Sequence, residues 1–570
     1  MSDPTTGALP PWPPDELASD LTAAAAHWGE REAIQCGDRR LTYAEVGEGV
    51  ARLACAYRRL GVSRGERVVC QLPNSPEHLL AAGAAWASGI VHVGTDHDLT
   101  GEELAWIVAR TEAAALLYAA DPAADPAADA GEVLAQVRRA SPGTRIVVAG
   151  PGPTLPAGAL ALEELLAQPP EAGWTPTPAA RDETSHLWLT SGTTGRPKGV
   201  MESLAGCWAK MQFFADAFGP GPADTWLVYL PIAHVFGMRL AMIALLTGGR
   251  LVLVPRFSPR GALELVGREG VTVLPGMPAH FQLLLRTLDP GRHRLTSLRW
   301  GISAASTMPR PLARRIYDDL GVELLYVYGC SENFTVQTTD RGEVLGGSVG
   351  RWVYRGPEGT PPNGQVAILE PGGGTTPLAT GVVGEIAFGA SHPVHYWKAP
   401  DAATDGWYRT GDLGRLDGDG RLYVVGRLKE LINRGGLHVS PSEIESVVAR
   451  HPGVADAAVV ATPDDVTGEA ICACVVPRGP GVAPVTIDEL RTFLGASLAR
   501  HKLPDELCLV EGIPRTKIGK VDRASLGAAA TARPRQRWRR GSTVRTGPEP
   551  GTGAGAGAGE GEVGGGGAGP

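Results

Sequence analysis

The sequence predicts an α/β protein, with a large N-terminal multi-layer α/β domain followed by a smaller C-terminal α+β domain. Three observations carry that expectation. From Leu41 onward, helix-like and strand-like segments alternate, the pattern of layered α/β folds. The chain has 570 residues, more than one hydrophobic core usually supports, and its 43% apolar content is ordinary for a globular protein. After Asp412 the texture changes to Gly- and Asp-rich turns (Asp417-Gly-Asp-Gly420). That change places a boundary between a domain over 1–426 and a second over 427–530.

The elements follow in order. Thr42 to Leu60 has helical spacing, Arg67 to Leu72 reads as a strand, and Pro76 to Ser88 is helical again. The Ala-, Asp- and Pro-rich stretch from Ala119 to Ala130 reads as a surface loop. Strands are expected at Arg145 to Val148, Thr184 to Leu189, Arg250 to Val254, Val271 to Leu274 and Glu323 to Tyr328. A further strand is expected at Arg421 to Val425, just before the boundary; in the second domain, strands are expected at Ala457 to Thr462 and Ala470 to Pro477, and helices at Ser442 to His451 and Ile487 to Leu498. From 531 to 570 the chain runs through Arg-Pro-Arg-Gln-Arg-Trp-Arg-Arg into Gly/Ala repeats, a composition that builds no core and reads as a disordered tail.

Composition narrows the function classes. A net charge of −8 with both signs interspersed offers no basic stripe for nucleic acid, so small molecules and proteins are the expected partners. The eight cysteines form no Cys-x-x-Cys pair, which suggests neither a zinc site nor a disulfide framework and points to a reduced cytoplasm. Cys472 and Cys474 alternate in an apolar run, where a strand puts both on one packed face. The N-terminus lacks the order of a secretory signal, and no apolar stretch reaches membrane-spanning length.

The chemistry concentrates in Leu189 to Val200. Glycines Gly192 and Gly195 let the backbone N–H groups approach phosphate oxygens, Thr190, Ser191, Thr193 and Thr194 add hydroxyl donors, and Lys198 adds a full charge. This cradle for a polyphosphate is not the common P-loop, because Gly195 precedes Arg196-Pro197-Lys198-Gly199 rather than Lys-Ser/Thr. A second polar cluster, Gly329-Cys330-Ser331-Glu332, also begins at a strand end, where ligands of open α/β sheets gather.

With these two clusters, the ordered motifs Leu41-Thr-Tyr-Ala-Glu45, Leu230-Pro-Ile-Ala-His-Val-Phe-Gly-Met238, Tyr328-Gly-Cys-Ser-Glu332, Tyr408-Arg-Thr-Gly-Asp412, Gly426-Arg-Leu-Lys-Glu430 and Pro514-Arg-Thr-Lys-Ile-Gly-Lys520 resemble the adenylate-forming superfamily of acyl- and aryl-CoA synthetases, over roughly residues 15 to 530. The resemblance implies an AMP-forming acid–thiol ligase with a mobile C-terminal domain. A carboxylate and ATP with Mg2+ give an acyl-adenylate and pyrophosphate, and the thiol of coenzyme A then displaces AMP.

It also implies the roles. The loop from Thr190 to Lys198 holds the β- and γ-phosphates, Glu332 is the magnesium ligand, Ser331 lies near the α-phosphate, and Tyr328, beside Gly329, stacks on adenine. Asp412 accepts the ribose hydroxyls and Arg427 contacts ribose and phosphate. Lys520 is the mobile catalytic lysine; taken alone, a lysine in a Gly-rich loop is ordinary surface, and its place in the motif order gives it the role. Lys429 is the hinge, and Gly435 and Gly436 line the pantetheine channel unless they form a simple turn.

His234, Val235 and Phe236 correspond to the segment that gates the acyl pocket, with Trp300, Gly301 and Ser303 as further lining, together with Met277 and Ala304. Val235 supplies neither the acidic residue of amino-acid activators nor the Asn of 2-hydroxyaryl activators, so an uncharged aromatic, alicyclic or medium-sized aliphatic acid is expected. The acceptor stays open between CoA, the thiol of a free carrier protein and an amine. A catalytically silent binding homologue is the alternative of another class, and retention of Lys198, Glu332, Asp412 and Lys520 argues against it.

Overall fold

A computed structural model describes residues 20–97, 99–119, 130–150, 155–190, 197–332, 334–338, 340–352, 366–389, 395–399, 403–404, 406–479, 484–516 and 520–538. The phosphate-loop residues Ser191 to Gly195, most of the expected loop after Ala119, and the chain beyond 538 lie outside the described residues.

The large N-terminal part is built on two sheets whose centres are parallel. One has nine strands and runs from Arg351–Trp352 at one edge, through Glu323–Gly329, Trp300–Ser303, Val273–Gly276, Thr225–Val228, Arg250–Leu253 and Glu32–Cys36, to Arg39–Thr42 at the other. The other has eight strands, with Arg67–Gln71, Val91–Gly94 and Thr184–Thr190 at its centre. Helices pack between and over the sheets around one continuous core that includes Trp188, Trp226, Tyr43, Tyr57 and Phe214. A five-stranded antiparallel sheet follows over residues 366–427, a segment where the sequence shows strand character only near its end.

Local signals explain why these segments fold as they do. The Leu41-Thr-Tyr-Ala-Glu45 motif starts the helix Tyr43–Arg59 with a reciprocal capping box: Thr42 Oγ1 accepts from the Glu45 N–H and the Glu45 carboxylate accepts from the Thr42 N–H. Ser75 caps Pro76–Ala87, where the proline sits at the helix start that tolerates it. The two sheets meet closely where Gly94 ends its strand: a Cβ there would stand 2.6 Å from the Ala233 carbonyl oxygen, so only glycine fits.

The smaller C-terminal part is a six-stranded sheet with its own core of Ile432, Val439, Ile444, Val459, Ile471 and Leu490, among others. Its long pair Val454–Asp464 and Gly468–Pro477 extends both predicted strands. Cys472 and Cys474 are fully buried there with Cys508, as the packing reading expected.

Two boundary expectations are corrected. Arg427, expected to open the second domain, ends the strand Leu422–Arg427, which pairs with Trp407–Leu416. The tail expected from 531 begins later: the helix Arg523–Ala532 is followed by the strand Gln536–Arg537, paired with Glu506–Leu509. The physical reason is Glu506, a carboxylate 2% exposed, which is matched by Arg535 at 2.9 Å and Arg537 at 2.7 Å. Trp538 adds its ring beneath the Arg491 guanidinium at 3.8 Å. Arg535 and Arg537, which composition alone reads as part of a solvated arginine run, are therefore structural.

Candidate active site

The antiparallel register sets Asp412 opposite Arg427, and this pairing is the base of the site. Arg427 Nε donates to Asp412 Oδ1 at 2.5 Å, and the Tyr328 hydroxyl, at the end of Glu323–Gly329, donates to Oδ2 at 2.8 Å. The turn before Asp412 is fixed too. Its N–H donates to Thr410 Oγ1 at 3.0 Å, while the Gly411 N–H donates to the buried Glu385 carboxylate at 3.1 Å. Burial and the adjacent Asp412 charge hold the Tyr328 hydroxyl well above its usual range, so it remains a donor.

Lys520 enters this cluster from the C-terminal part. The backbone closes its loop through the Thr516 N–H to the Lys520 carbonyl at 2.7 Å and the Lys520 N–H to Thr516 Oγ1 at 3.2 Å. Burial first, and then the Arg427 charge, lowers its pKa, while Asp412, Cys330 and Glu430 oppose the shift. Tyr328, Gly329, Asp412, Arg427 and Lys520 line one cleft of about 1600 Å³. Ala305 also lines it, held at φ +72°, a left-handed conformation uncommon for a residue with a Cβ.

A second cluster lies at the other end of the Tyr328-to-Glu332 motif. Tyr396, on the edge strand His395–Tyr396 paired to Met201 and Val200, donates its hydroxyl to Glu332 Oε1 at 2.9 Å. Lys198, opposite Thr190 at the base of the phosphate loop, places Nζ 5.3 Å from the Tyr396 ring centroid. Behind it, Lys210 Nζ donates to the Glu332 carbonyl at 3.4 Å and to Glu202 Oε1 at 2.7 Å. Glu202 is 4% exposed and also accepts from Trp188 Nε1 at 2.6 Å and Arg239 at 2.5 Å. Burial pushes this carboxyl up, but the Arg239 and Lys210 charges outweigh it and hold it well below the usual carboxylate range.

The His234 segment, expected to gate the acyl pocket, is not among the residues that line this cleft. His234 precedes the helix Val235–Leu246, and its Nε2 lies 3.1 Å from Asp96 Oδ1, an ion-pair distance without the alignment of a hydrogen bond. Asp96 follows Val91–Gly94, so His234 and Asp96 come from strand ends of different sheets.

Two family models match the chain: one described as AMP-binding enzyme over residues 21–393, and one described as AMP-binding enzyme C-terminal domain over 443–520. The chain belongs to the family of AMP-binding enzymes. It is 31% identical over 530 residues to a salicylyl-CoA synthase / salicylate adenylyltransferase of a Streptomyces species, covering 90% of this chain and 94% of that protein. It is 32% identical over 530 residues to a sulfoacetate–CoA ligase of Cupriavidus necator, covering 90% and 97%. Among solved structures it resembles ATP-bound MatB from Rhodopseudomonas palustris, with a TM-score of 0.77, 26% identity and coverage of 90% and 99%.

Set against the sequence expectations for this AMP-binding enzyme, the structure brings Tyr328, Gly329, Asp412, Arg427 and Lys520 to one cleft, and Lys198, Tyr396 and Glu332 to one contact chain. Other expected residues fall elsewhere. Gly435 and Gly436 form the two-residue turn between Ile432–Arg434 and Leu437–Val439, at φ +60° and +87°. A Cβ at Gly436 would meet nothing within 4 Å, so the turn conformation, rather than crowding, calls for glycine. Trp300, at the amino end of its strand, packs on Phe218 with ring centroids 5.5 Å apart, and a Cβ at Gly301 would meet Leu324 and Val322. Both belong to the core rather than the cleft. Ser303 is fully buried at the carboxyl end of the same strand.

Asp96, Glu202, Lys210, Arg239 and Tyr396 were not anticipated. Only Glu202 left a trace in the sequence, as an acid directly after the apolar Val200-Met201 pair. Among the described residues, no helix is long and apolar enough to cross a membrane.

Proposed function

We propose that this AMP-binding enzyme activates a carboxylic acid with ATP and transfers the acyl group to the thiol of coenzyme A. The observation that carries the reading is the meeting of Lys520 with Tyr328, Asp412 and Arg427, residues far apart in sequence that converge on one cleft. The substrate carboxylate attacks the α-phosphorus, the bond to the β-phosphate oxygen breaks, and pyrophosphate leaves. The thiol then adds to the acyl carbonyl, AMP leaves with the electron pair of the C–O bond, and the thiol proton passes to solvent.

Each residue has a part consistent with its surroundings. Asp412 uses one lone pair on each oxygen for Arg427 and Tyr328, and the second lone pairs suit the two ribose hydroxyls. Glu332, with one oxygen steadied by Tyr396, fits Mg2+, which takes hard oxygen ligands and neutralises phosphate charge when bound. Lys198, poised over Tyr396, offers its charge to the β- and γ-phosphates. Lys520 stabilises the negative charge that builds as the carboxylate oxygen meets the α-phosphate.

The second step needs Lys520 to withdraw and a thiol to enter. The exposed Lys429, in the short turn Leu428–Glu430, is the hinge of a mobile unit that ends near 530 in the family pattern and at 538 by its sheet pairing. Rotation there exchanges the Lys520 loop for the Gly435–Gly436 turn. At the acid end, the Asp96 carboxylate beside His234 disfavours a second negative charge on the substrate, which supports an uncharged aromatic, alicyclic or medium-sized aliphatic acid.

Substrate-dependent ATP–pyrophosphate exchange tests the reading. Neutral aromatic, alicyclic and medium-chain acids are expected to support exchange, and dicarboxylates to support little; no exchange with any acid would sink it. Adding CoA, a carrier protein or an amine to the productive acid then identifies the acceptor. A narrower test addresses Asp412. Each charge-assisted bond it makes is worth about 1.5–3 kcal/mol, so Asp412→Asn is expected to weaken ATP binding by roughly 10- to 100-fold in calorimetric titration. Unchanged affinity would remove Asp412 from the ribose site.

A further inference from the structure

Inside the eight-stranded sheet, three metal-ligating side chains converge that the reaction does not use. All belong to one strand–helix–strand unit: Cys70 on Arg67–Gln71, His78 in the first turn of Pro76–Ala87, and His92 on Val91–Gly94. The parallel register sets Val68 opposite His92, so Cys70, two residues along, lies on the same face as His92. Cys70 Sγ and a ring nitrogen from each histidine all lie within 4.8 Å of one another. All three residues are 0% exposed.

The hydrogen bonding around them is incomplete in a particular way. His78 Nδ1 faces the Leu72 carbonyl at 3.1 Å, and since a carbonyl only accepts, that nitrogen carries the proton and Nε2 carries the lone pair. His78 Nε2 has no hydrogen-bond partner, and neither ring nitrogen of His92 has one. Buried polar atoms in folded proteins are nearly always paired, so three such nitrogens beside a thiol call for an explanation. The neighbouring His186, opposite His92 on the next strand, differs: the Trp86 indole N–H donates to its ring at 3.1 Å.

We propose that Cys70, His78 and His92 bind a structural d10 metal ion, Zn2+ or Cu+. One thiolate and two imidazoles are the soft and borderline donors that select these ions, and a carbonyl holding the far nitrogen of a ligating histidine is the usual outer-shell arrangement. Mg2+ takes oxygen ligands, so this ion is separate from the one the reaction uses. As the metal–sulfur bond forms, the Cys70 thiol releases its proton to solvent; each histidine gives a lone pair, and no electron changes hands. Because the site is closed to solvent, the ion enters as the chain folds.

The full chain, expressed separately in zinc- and copper-supplemented medium and purified through EDTA, is expected to retain one metal ion per chain by mass spectrometry, and the medium that loads it tells the two ions apart. X-ray absorption on the loaded protein is expected to show one sulfur and two imidazole scatterers. Cys70→Ser and His92→Asn are expected to fold, by circular dichroism, with at least a tenfold loss of metal. Since core variants can misfold, the absorption spectrum of the unsubstituted protein stands without them. Less than about a tenth of an equivalent from both media, or a metal shell without sulfur, overturns the proposal.

Discussion

Lys520→Ala is expected to slow adenylate formation by about 10²–10³-fold, the usual consequence of removing one preorganised donor from a developing negative charge, while sparing thioester formation from supplied acyl-adenylate. The asymmetry follows from where the charge lies. In the first half-reaction as proposed, the carboxylate oxygen and the α-phosphate would crowd together beside Asp412, where a cation lowers the barrier. In the second, AMP leaves from an adenylate already formed, and on the proposed rotation the part carrying Lys520 has turned away. Rapid-quench measurement of each half-reaction checks this, and equal loss in both would refute the role.

A pH profile adds an independent reading of the same residue. Its pKa is held below 10.5, by burial first and then by Arg427, so the charge is complete well below that lowered value and is lost as pH rises through it. The alkaline limb of the adenylation rate should therefore begin at lower pH than an exposed lysine would give, and should be absent in Lys520→Ala.

Part of the candidate site was legible in the sequence because residues proposed to meet phosphate sit on strand ends, and strand ends followed by Gly, Ser and Thr announce themselves. Tyr328 stands at such a strand end, whereas Asp412 and Arg427 were named through the resemblance alone, and only the strand register explains why those two meet. What remained hidden depends on contacts between elements far apart in the chain. Asp96 beside His234 joins strand ends of two sheets, and Tyr396 reaches Glu332 from a two-residue edge strand too short to leave a pattern. Trp300 misled because a motif position says nothing about which end of a strand a side chain occupies; its ring went to Phe218. Arg535 and Arg537 misled because arginine-rich composition reads as solvated until a buried acid such as Glu506 is known.

The largest stability effect is expected at a residue with no motif. Glu202 is the anion between Arg239, itself 1% exposed, and Lys210, with the Trp188 indole as a third donor. Glu202→Gln keeps the shape and removes the charge, which leaves two cations facing a neutral amide in a dry interior. Breaking a buried pair in this way costs about 3–5 kcal/mol, so the variant should unfold at markedly lower denaturant. The wild-type carboxyl is held far below the ordinary value of 4.5, so its contribution is complete above that value and fades only as pH falls well beneath it.

The cost arises from the unpaired cations rather than from the loss of attraction. Adding Arg239→Met to Glu202→Gln should therefore recover part of the loss, which a simple packing defect would not permit. Function should follow stability here. Glu202 lies on the strand that leaves the phosphate loop, Lys210 also holds the Glu332 carbonyl, and Arg239 is on the helix that begins just after His234. Removing this carboxylate's charge is therefore expected to loosen all three elements at once, and the double variant should regain stability before it regains adenylation. A Glu202→Gln protein as stable as its parent would show that the surrounding core, and not this charge, holds those three elements together.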